Sequence, residues 1–286
     1  MVACTQISNL GKGSPEVVTT RSSLHLSFSV GKAGADLSET DDGDMQMEKS
    51  ILSITDCSVL YSSYVDVTES PFFRRVSERF RSRRNRALSD WIAEMNGPRI
   101  LDVGGHPMFW RTVANAHLAS AIDIVNSEAG EHASVDEMSR AELLPNMSVA
   151  YGNATKLAFA DLEYDLVVCN AVLEHVSGWA NAEAAAGELV RVAAHGWVQV
   201  PAYEFPLEVH YMRPFVHWFA EPTRAWMLRH SGKKFKRFDE KGFRELFLFV
   251  QLLTRREMRY LFPGATIESE RFRGCPEFRG TSVAVR

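Results

Sequence analysis

The apolar positions of the chain fall into three regimes. Over residues 1 to about 50 they show no sustained period, and Ser, Thr, Gly and Asp dominate. Such a stretch offers too little apolar surface to offset its ordering entropy, so residues 1–50 read as a disordered extension. From Pro71 to Asn96 the pattern is helical: Phe72, Phe73, Val76, Phe80, Leu88, Trp91 and Ile92 recur at three- and four-residue steps. An N-terminal helical segment is therefore expected over residues 51–96. After Gly97-Pro98 the period shortens. RILDVGG, ASAIDIV, DLVVCNAV and GWVQVP are short β-rich runs, separated by helical stretches from Trp110 to His117 and from Ala182 to Val192. Strands alternating with helices predict βαβ units and a parallel sheet, an α/β fold. Thr254-Arg-Arg-Glu257 reads as a capping box, opening a helix that ends near Phe262 at the Pro263-Gly264 stop. Two strand-like runs follow, ATIESERF and TSVAVR. The main domain is thus expected over residues 97–286, with a substrate-side lid insertion at about 201–250.

Composition narrows the class. The 286 residues are 45% hydrophobic and 24% charged, with a formal net charge of −4, which argues against nucleic acid or an anionic membrane as the main partner. No apolar run approaches the roughly 18–20 residues of a membrane span. MVACTQISNL lacks a basic region followed by an apolar one, so no secretory signal is expected, although the hydroxyl-rich, acid-poor first 35 residues loosely match an organelle transit peptide. Cys4, Cys57, Cys169 and Cys275 lie far apart, with no CxxC pair and no His at ligand spacing. Free thiols in the cytoplasm, and no metal site, are the expectation. The run FFRRVSERFRSRRNR reads either as a phosphate-binding patch or as a solvated helix face, and the second is favoured. Nothing in the pattern specifies an oligomeric state.

Candidate chemistry begins at Arg99-Ile-Leu-Asp102-Val-Gly104-Gly105-His106, an apolar strand running through an acid into a glycine pair. Without Cβ atoms, Gly104 and Gly105 let the backbone lie against a nucleoside. About 20 residues on, Asp123 in Ala121-Ile-Asp123-Ile is expected to end the next strand, where an acid can accept both ribose hydroxyls. A polar turn, Gly152-Asn153-Ala154, then precedes an apolar strand that carries Asn170 at its carboxyl end. Ligands of open α/β sheets bind at the carboxyl ends of strands, so these features can share one crevice.

The set LDVGG, AIDI, GNAxxLxFxDxxYDLVxxNAVLEHV and WVQVP resembles the class I S-adenosylmethionine-dependent methyltransferases of the type 11 kind, from residue 97 onward. The resemblance implies a Rossmann-like, seven-stranded, mostly parallel sheet with helices on both faces and an antiparallel last strand. It implies S-adenosyl-L-methionine as cofactor, with Asp102, Gly104 and Gly105 at its methionine and ribose end, Asp123 at the ribose hydroxyls, and Asn153 and Ala154 at the adenine. Asn170, at the fourth strand's end, faces the same crevice. His106 and Met108 stand where the family has further glycines, and His106 either meets the methionine carboxylate or points outward. A tighter resemblance is to a subgroup with GGxxxFW, LEHV and a VQxPxxxFPxExH…PFxHW block, matched here from Gly104 to Trp110 and from Val198 to Trp218. It implies a small-molecule or sugar/glycan acceptor.

Residues 201–220 concentrate Tyr203, Glu208, His210, Arg213, His217 and Trp218. A neutral His suits removal of a hydroxyl proton, because its unperturbed pKa lies near 6.5. His210 is therefore the expected base, Glu208 its orienting acid, and His217 part of the same pocket. His175, in LEHV, reads as a structural or cofactor-adjacent residue. Two other functions fit less well: an RNA- or protein-directed methyltransferase docking through the arginine helix, and a cofactor-binding protein without catalysis.

Overall fold

The computed structural model describes residues 71–127, 143–231, 233–236, 238–271 and 279–285. The expected disordered extension and the first part of segment 51–96 lie outside these residues. Helix α1 spans Pro71–Glu94. Strands β1 (Arg99–Val103), β2 (Ala121–Asn126), β3 (Met147–Tyr151), β4 (Tyr164–Asn170) and β5 (Ala193–Pro201) follow, interrupted by the short helix α2 (Pro107–Trp110) and the longer α3 (Trp179–Val192). A small hairpin, β6 (Leu207–Glu208) and β7 (Arg213–Pro214), leads into α4 (Glu221–His230), α5 (Lys233–Lys236), α6 (Glu240–Phe249) and α7 (Arg255–Leu261). Strands β8 (Ile267–Arg271) and β9 (Arg279–Val285) come last.

The sheet order is β3-β2-β1-β4-β5-β9-β8. Strands β1 to β5 are mutually parallel, and β9 runs antiparallel to β5 and β8. This is the α/β, Rossmann-like arrangement with a mostly parallel sheet. Because parallel strands need crossovers, apolar side chains must cover both faces, and neighbouring residues divide accordingly. Ile100, Ile122, Ile124, Leu166, Val168 and Trp197 pack on one face with Leu88 and Ile92 of α1. Leu101, Val167, Cys169, Val198 and Val200 pack on the other, with Leu189 and Val192 of α3 and Met258 and Leu261 of α7. A third cluster, of Tyr211, Val216, Leu228, Phe235, Phe243 and Phe247, holds the insertion together.

The helix expected from Trp110 to His117 forms instead as α2 and a separate 3-10 turn at Ala116–Leu118. Between them the chain is tied to α1: Asn85 donates to Thr112 Oγ1 at 2.7 Å, and Asn115 N donates to Ser89 Oγ at 3.0 Å. The expected capping box is present at Thr254 and Glu257. Arg79, Arg81, Arg83 and Arg86 of α1 are exposed while Leu88 and Ile92 are fully buried, as a solvated face beside an apolar stripe requires. No helix among the described residues is long and apolar enough to cross a membrane.

Since α1 supplies part of the core, Ile92→Ala should destabilise the whole domain by about 2–5 kcal/mol, through lost burial and the cavity left behind. Urea unfolding followed by tryptophan fluorescence measures this. An unchanged midpoint would mean that α1 is not packed on the sheet.

Candidate active site

The crevice forms where β1 ends. Gly104 adopts φ 72°, a left-handed conformation that disfavours any other residue. A Cβ at Gly104 would overlap Val172 on the loop after β4, and one at Gly105 would overlap the Asp102 carboxylate. The two glycines therefore let the first turn close down on Asp102 and on the neighbouring loop. Asp102 is fully buried, and Trp110 Nε1 donates to its Oδ2 at 2.7 Å. Its Oδ1 has no hydrogen-bond partner. Burial pushes its pKa up to about 7, against the opposing effect of the Trp110 hydrogen bond. His106 caps α2, its Nδ1 accepting from Met108 N at 3.1 Å, so this nitrogen serves the turn.

Asp123 does not end β2; the strand continues through Ile124 and Val125 to Asn126. Asp123 instead accepts from Arg99 at 3.1 Å, Tyr164 at 2.9 Å and Ser148 at 2.6 Å. Arg99 and Tyr164 open β1 and β4, so this network lies toward the amino-terminal edge of the sheet, away from the crevice. Burial opposes ionisation of Asp123, but these hydrogen bonds and the Arg99 charge outweigh it and lower its pKa. The residue at the carboxyl end of β2 is Asn126, whose amide donates to Gly105 O at 2.6 Å. Gly152 N donates to Asn126 O at 2.9 Å, and Gly152 has no room for a Cβ beside Val125. Next to it Asn153 folds an Asx turn, accepting from Thr155 N and Oγ1, both at 2.9 Å, with Ala154 partly buried against the core. Asn126, Gly152 and Asn153 therefore form one edge of the crevice. Sequence reasoning missed Asn126; the signal was a polar residue closing an apolar run.

The opposite edge is the end of β4. Asn170 pairs with Gln199 of β5, and its Oδ1 is buried without a hydrogen-bond partner. The chain then turns through Ala171, at φ 56°, into a 3-10 turn at Leu173–His175. Glu174 is fully buried, and its carbonyl accepts from Gln251 N at 2.8 Å. The insertion meets this turn. The His175 ring lies edge-on to His210 at 5.0 Å and against Phe249 at 4.9 Å. Glu208 is 1% exposed, with Oε1 2.7 Å from His210 Nδ1 and Oε2 accepting from Tyr211 N at 2.6 Å. Burial disfavours the charged form of both partners, yet their mutual attraction wins: the Glu208 pKa is lowered and the His210 pKa raised. His217 differs. Its Nε2 lies 2.9 Å from Tyr203 O, its Nδ1 is buried without a hydrogen-bond partner, and burial lowers its pKa, which keeps the ring neutral. The structure thus joins Glu208 and His210 to Glu174 and His175, and places His217 in hydrogen bonds with Tyr203 instead.

Residues 105–198, about a third of the chain, match the family described as methyltransferase domain. No curated protein matches the chain. Among solved structures, a Nostoc punctiforme protein provisionally named an O-methyltransferase is 16% identical, with 77% of this chain and 62% of that one covered and a TM-score of 0.41. A Haloferax volcanii protein provisionally named a methyltransferase, solved with the methyltransferase activator Trm112, is 13% identical over 60% of this chain and 63% of that one, with a TM-score of 0.37. The N-methyltransferase NodS from Bradyrhizobium japonicum is 16% identical over 44% of this chain and 65% of that one, with a TM-score of 0.30. The chain thus spans less than two thirds of each of these proteins, and likeness at this level decides nothing about the acceptor. Residues 105–198 thus match the methyltransferase domain family, and the solved structures share its fold. At the crevice, glycines 104, 105 and 152 leave no space for Cβ atoms, and the buried Asp102 Oδ1 and Asn170 Oδ1 lack hydrogen-bond partners, acceptors that the ammonium group of S-adenosylmethionine, the cofactor expected from the sequence, would use.

Two outcomes follow. Asp123→Ala should leave cofactor affinity within about threefold while costing about 1–2 kcal/mol of stability, and Asn126→Ala should weaken the cofactor about tenfold. Calorimetry and urea unfolding on the two variants separate the roles, and a cofactor loss confined to Asp123→Ala would reverse the assignment. For Asp102, an acid raised from its ordinary 3.8 to about 7 binds a proton in the native state that the unfolded chain has lost. Its contribution to stability therefore falls as pH rises from about 4 to about 7. Asp102→Asn should remove that slope, raise the melting temperature at pH 8 by several degrees, and weaken cofactor binding. Scanning calorimetry across this pH range, with and without cofactor, checks all three.

Proposed function

We propose that the protein transfers a methyl group from S-adenosylmethionine to a hydroxyl of a small-molecule or sugar acceptor, using His210 as base. The single observation that carries this reading is the buried Glu208–His210 pair, 2.7 Å apart, beside the turn that leaves β4. A carboxylate on Nδ1 holds the imidazole in the tautomer whose Nε2 lone pair is available, and makes that nitrogen more basic. The cofactor, when bound, supplies an electrophilic methyl carbon. His210 Nε2 would take up the proton of the acceptor hydroxyl as that oxygen is methylated. Tyr203, Tyr211, Phe215 and Trp218 would wall the acceptor and exclude water, and His217, tied to the Tyr203 carbonyl, would shape that wall.

On the cofactor side the reading assigns Asp102, Gly104, Gly105, His106 and Asn170 to the methionine and ribose end, Asn153 and Ala154 to the adenine, and Asn126 to the ribose. It includes the full seven-stranded class I sheet with an antiparallel last strand, supported by the pairing of β9 with β5, and a cytoplasmic site of action, supported by the dispersed cysteines. An RNA- or protein-directed role gains no support from α1, whose Arg84, Asn85, Leu88 and Ile92 are built into the core.

His210→Ala should leave cofactor affinity nearly intact and cut kcat by roughly 10²–10⁴. In the wild type kcat should rise with pH through a midpoint above His210's ordinary 6.5, because Glu208 raises its pKa. Glu208→Gln should lower both that midpoint and the plateau. A His210→Ala enzyme within about threefold of the wild-type rate would end the base assignment.

A further inference from the structure

The group formed by Glu174, His175 and His210 is more than the base assignment needs. One carboxylate oxygen of Glu174 and one ring nitrogen of each histidine lie within 4.8 Å of one another. Around a tetrahedral zinc ion with bonds of 2.0–2.2 Å, ligand atoms stand on the order of 3.5 Å apart. Side-chain movements of about an ångström would close the set onto one ion. Glu174 is fully buried and the His210 side chain is 15% exposed, so the donors are not a solvated surface cluster. Glu208 supplies what such sites require outside the ligand set: a carboxylate on Nδ1 of the coordinating imidazole, fixing its orientation and sharpening its basicity. Two carboxylates and two imidazoles gathered out of water also match, in charge and in donor type, a divalent cation.

We propose that Glu174, His175 and His210 bind one divalent first-row transition-metal ion, with Glu208 as the outer carboxylate that orients His210. Two imidazoles and one carboxylate select zinc, cobalt or iron over magnesium or calcium, which take oxygen ligands. Three protein ligands leave a fourth position, open to water or to an acceptor oxygen. The residues were invisible as a metal set in the sequence, because His210 lies 35 positions beyond His175 (210 − 175) in a different element. The proposal shares the acceptor site of the preceding subsection and specifies a ligand for it. His210 Nε2 cannot hold a cation and take a proton at the same instant, so ion and proton compete there.

The test uses the full chain, dialysed against EDTA and titrated with zinc chloride by calorimetry and with cobalt chloride by visible absorption. One ion per chain is expected, with a dissociation constant of about 10 μM or tighter and cobalt bands of a low-coordinate nitrogen–oxygen site. Magnesium at millimolar concentration should not displace it. Glu174→Gln and His175→Asn should each weaken zinc by at least about 100-fold, and Glu208→Gln by about 10–100-fold. A wild-type chain that takes up no zinc below about 100 μM overturns the proposal, as does wild-type affinity in the folded Glu174→Gln and His175→Asn variants. Should those variants not fold, the cobalt spectrum of the wild type decides, and a spectrum of aqueous cobalt overturns the site. Turnover separates the two assignments. Full activity after EDTA treatment, inhibited by added zinc that binds as expected, supports both the base and the site. Activity lost with EDTA and restored by zinc supports the site and ends the base assignment.

Discussion

The organisation of the crevice at the end of β1 depends on one buried carboxyl group. Asp102 sits at zero exposure near the end of β1, held from one side by the indole of Trp110. An acid in that position tolerates no bulk above it, so the chain passes over it as two glycines, and Gly104 must be left-handed to make the turn. That turn places Gly105 O where Asn126 reaches it and brings Gly104 against Val172, so the ends of β1, β2 and β4 are fixed relative to one another. Burial of Asp102 costs stability in its ionised form, and a cationic ligand would relieve that cost.

A second buried acid plays the corresponding part in the insertion. Glu208 accepts from Tyr211 N and pairs with His210, so a two-residue strand with little ladder of its own is held by its side chain. The aromatic cluster beneath it, including Phe235, Phe243 and Phe247, provides the dry surroundings in which that pair is strong. The imidazole of His210 then meets the ring of His175 edge-on. The two halves of the site are coupled through rings rather than through a shared strand.

Much of this was legible in the residue pattern, and the failures have physical causes. The capping box at Thr254, the helix across Val192 and the βαβ alternation are local signals, set by hydrogen bonds and periods within one segment. The end of β2 was not local. ASAIDIVN carries both Asp123 and Asn126 as polar residues that could close the run, and only its pairing with β1 and β3 shows that the strand passes Asp123 and ends at Asn126. The break in the helix expected from Trp110 to His117 depends on Ser89 and Asn85 of α1, distant in sequence. For the same reason Glu174 drew no role of its own within LEHV; its company with His210 exists only once residues 202–253 fold back. The glycine turn, where sequence and geometry agree most closely, is also where a single backbone conformation was required.

The insertion leaves and re-enters the domain at one place. Ala202 forms a bridge with Leu253, and Tyr203 N donates to Leu253 O at 3.2 Å, so the two stems lie side by side at the carboxyl end of β5. A segment closed at its own neck, with its own apolar cluster, makes few demands on the sheet that carries it. Its length and sequence can drift, or be replaced wholesale, while Asp102, the glycines and the strand order stay as they are. In such an architecture the strand ends and the inserted segment are separable parts, so a change of length between Ala202 and Leu253 leaves the turn over Asp102 untouched.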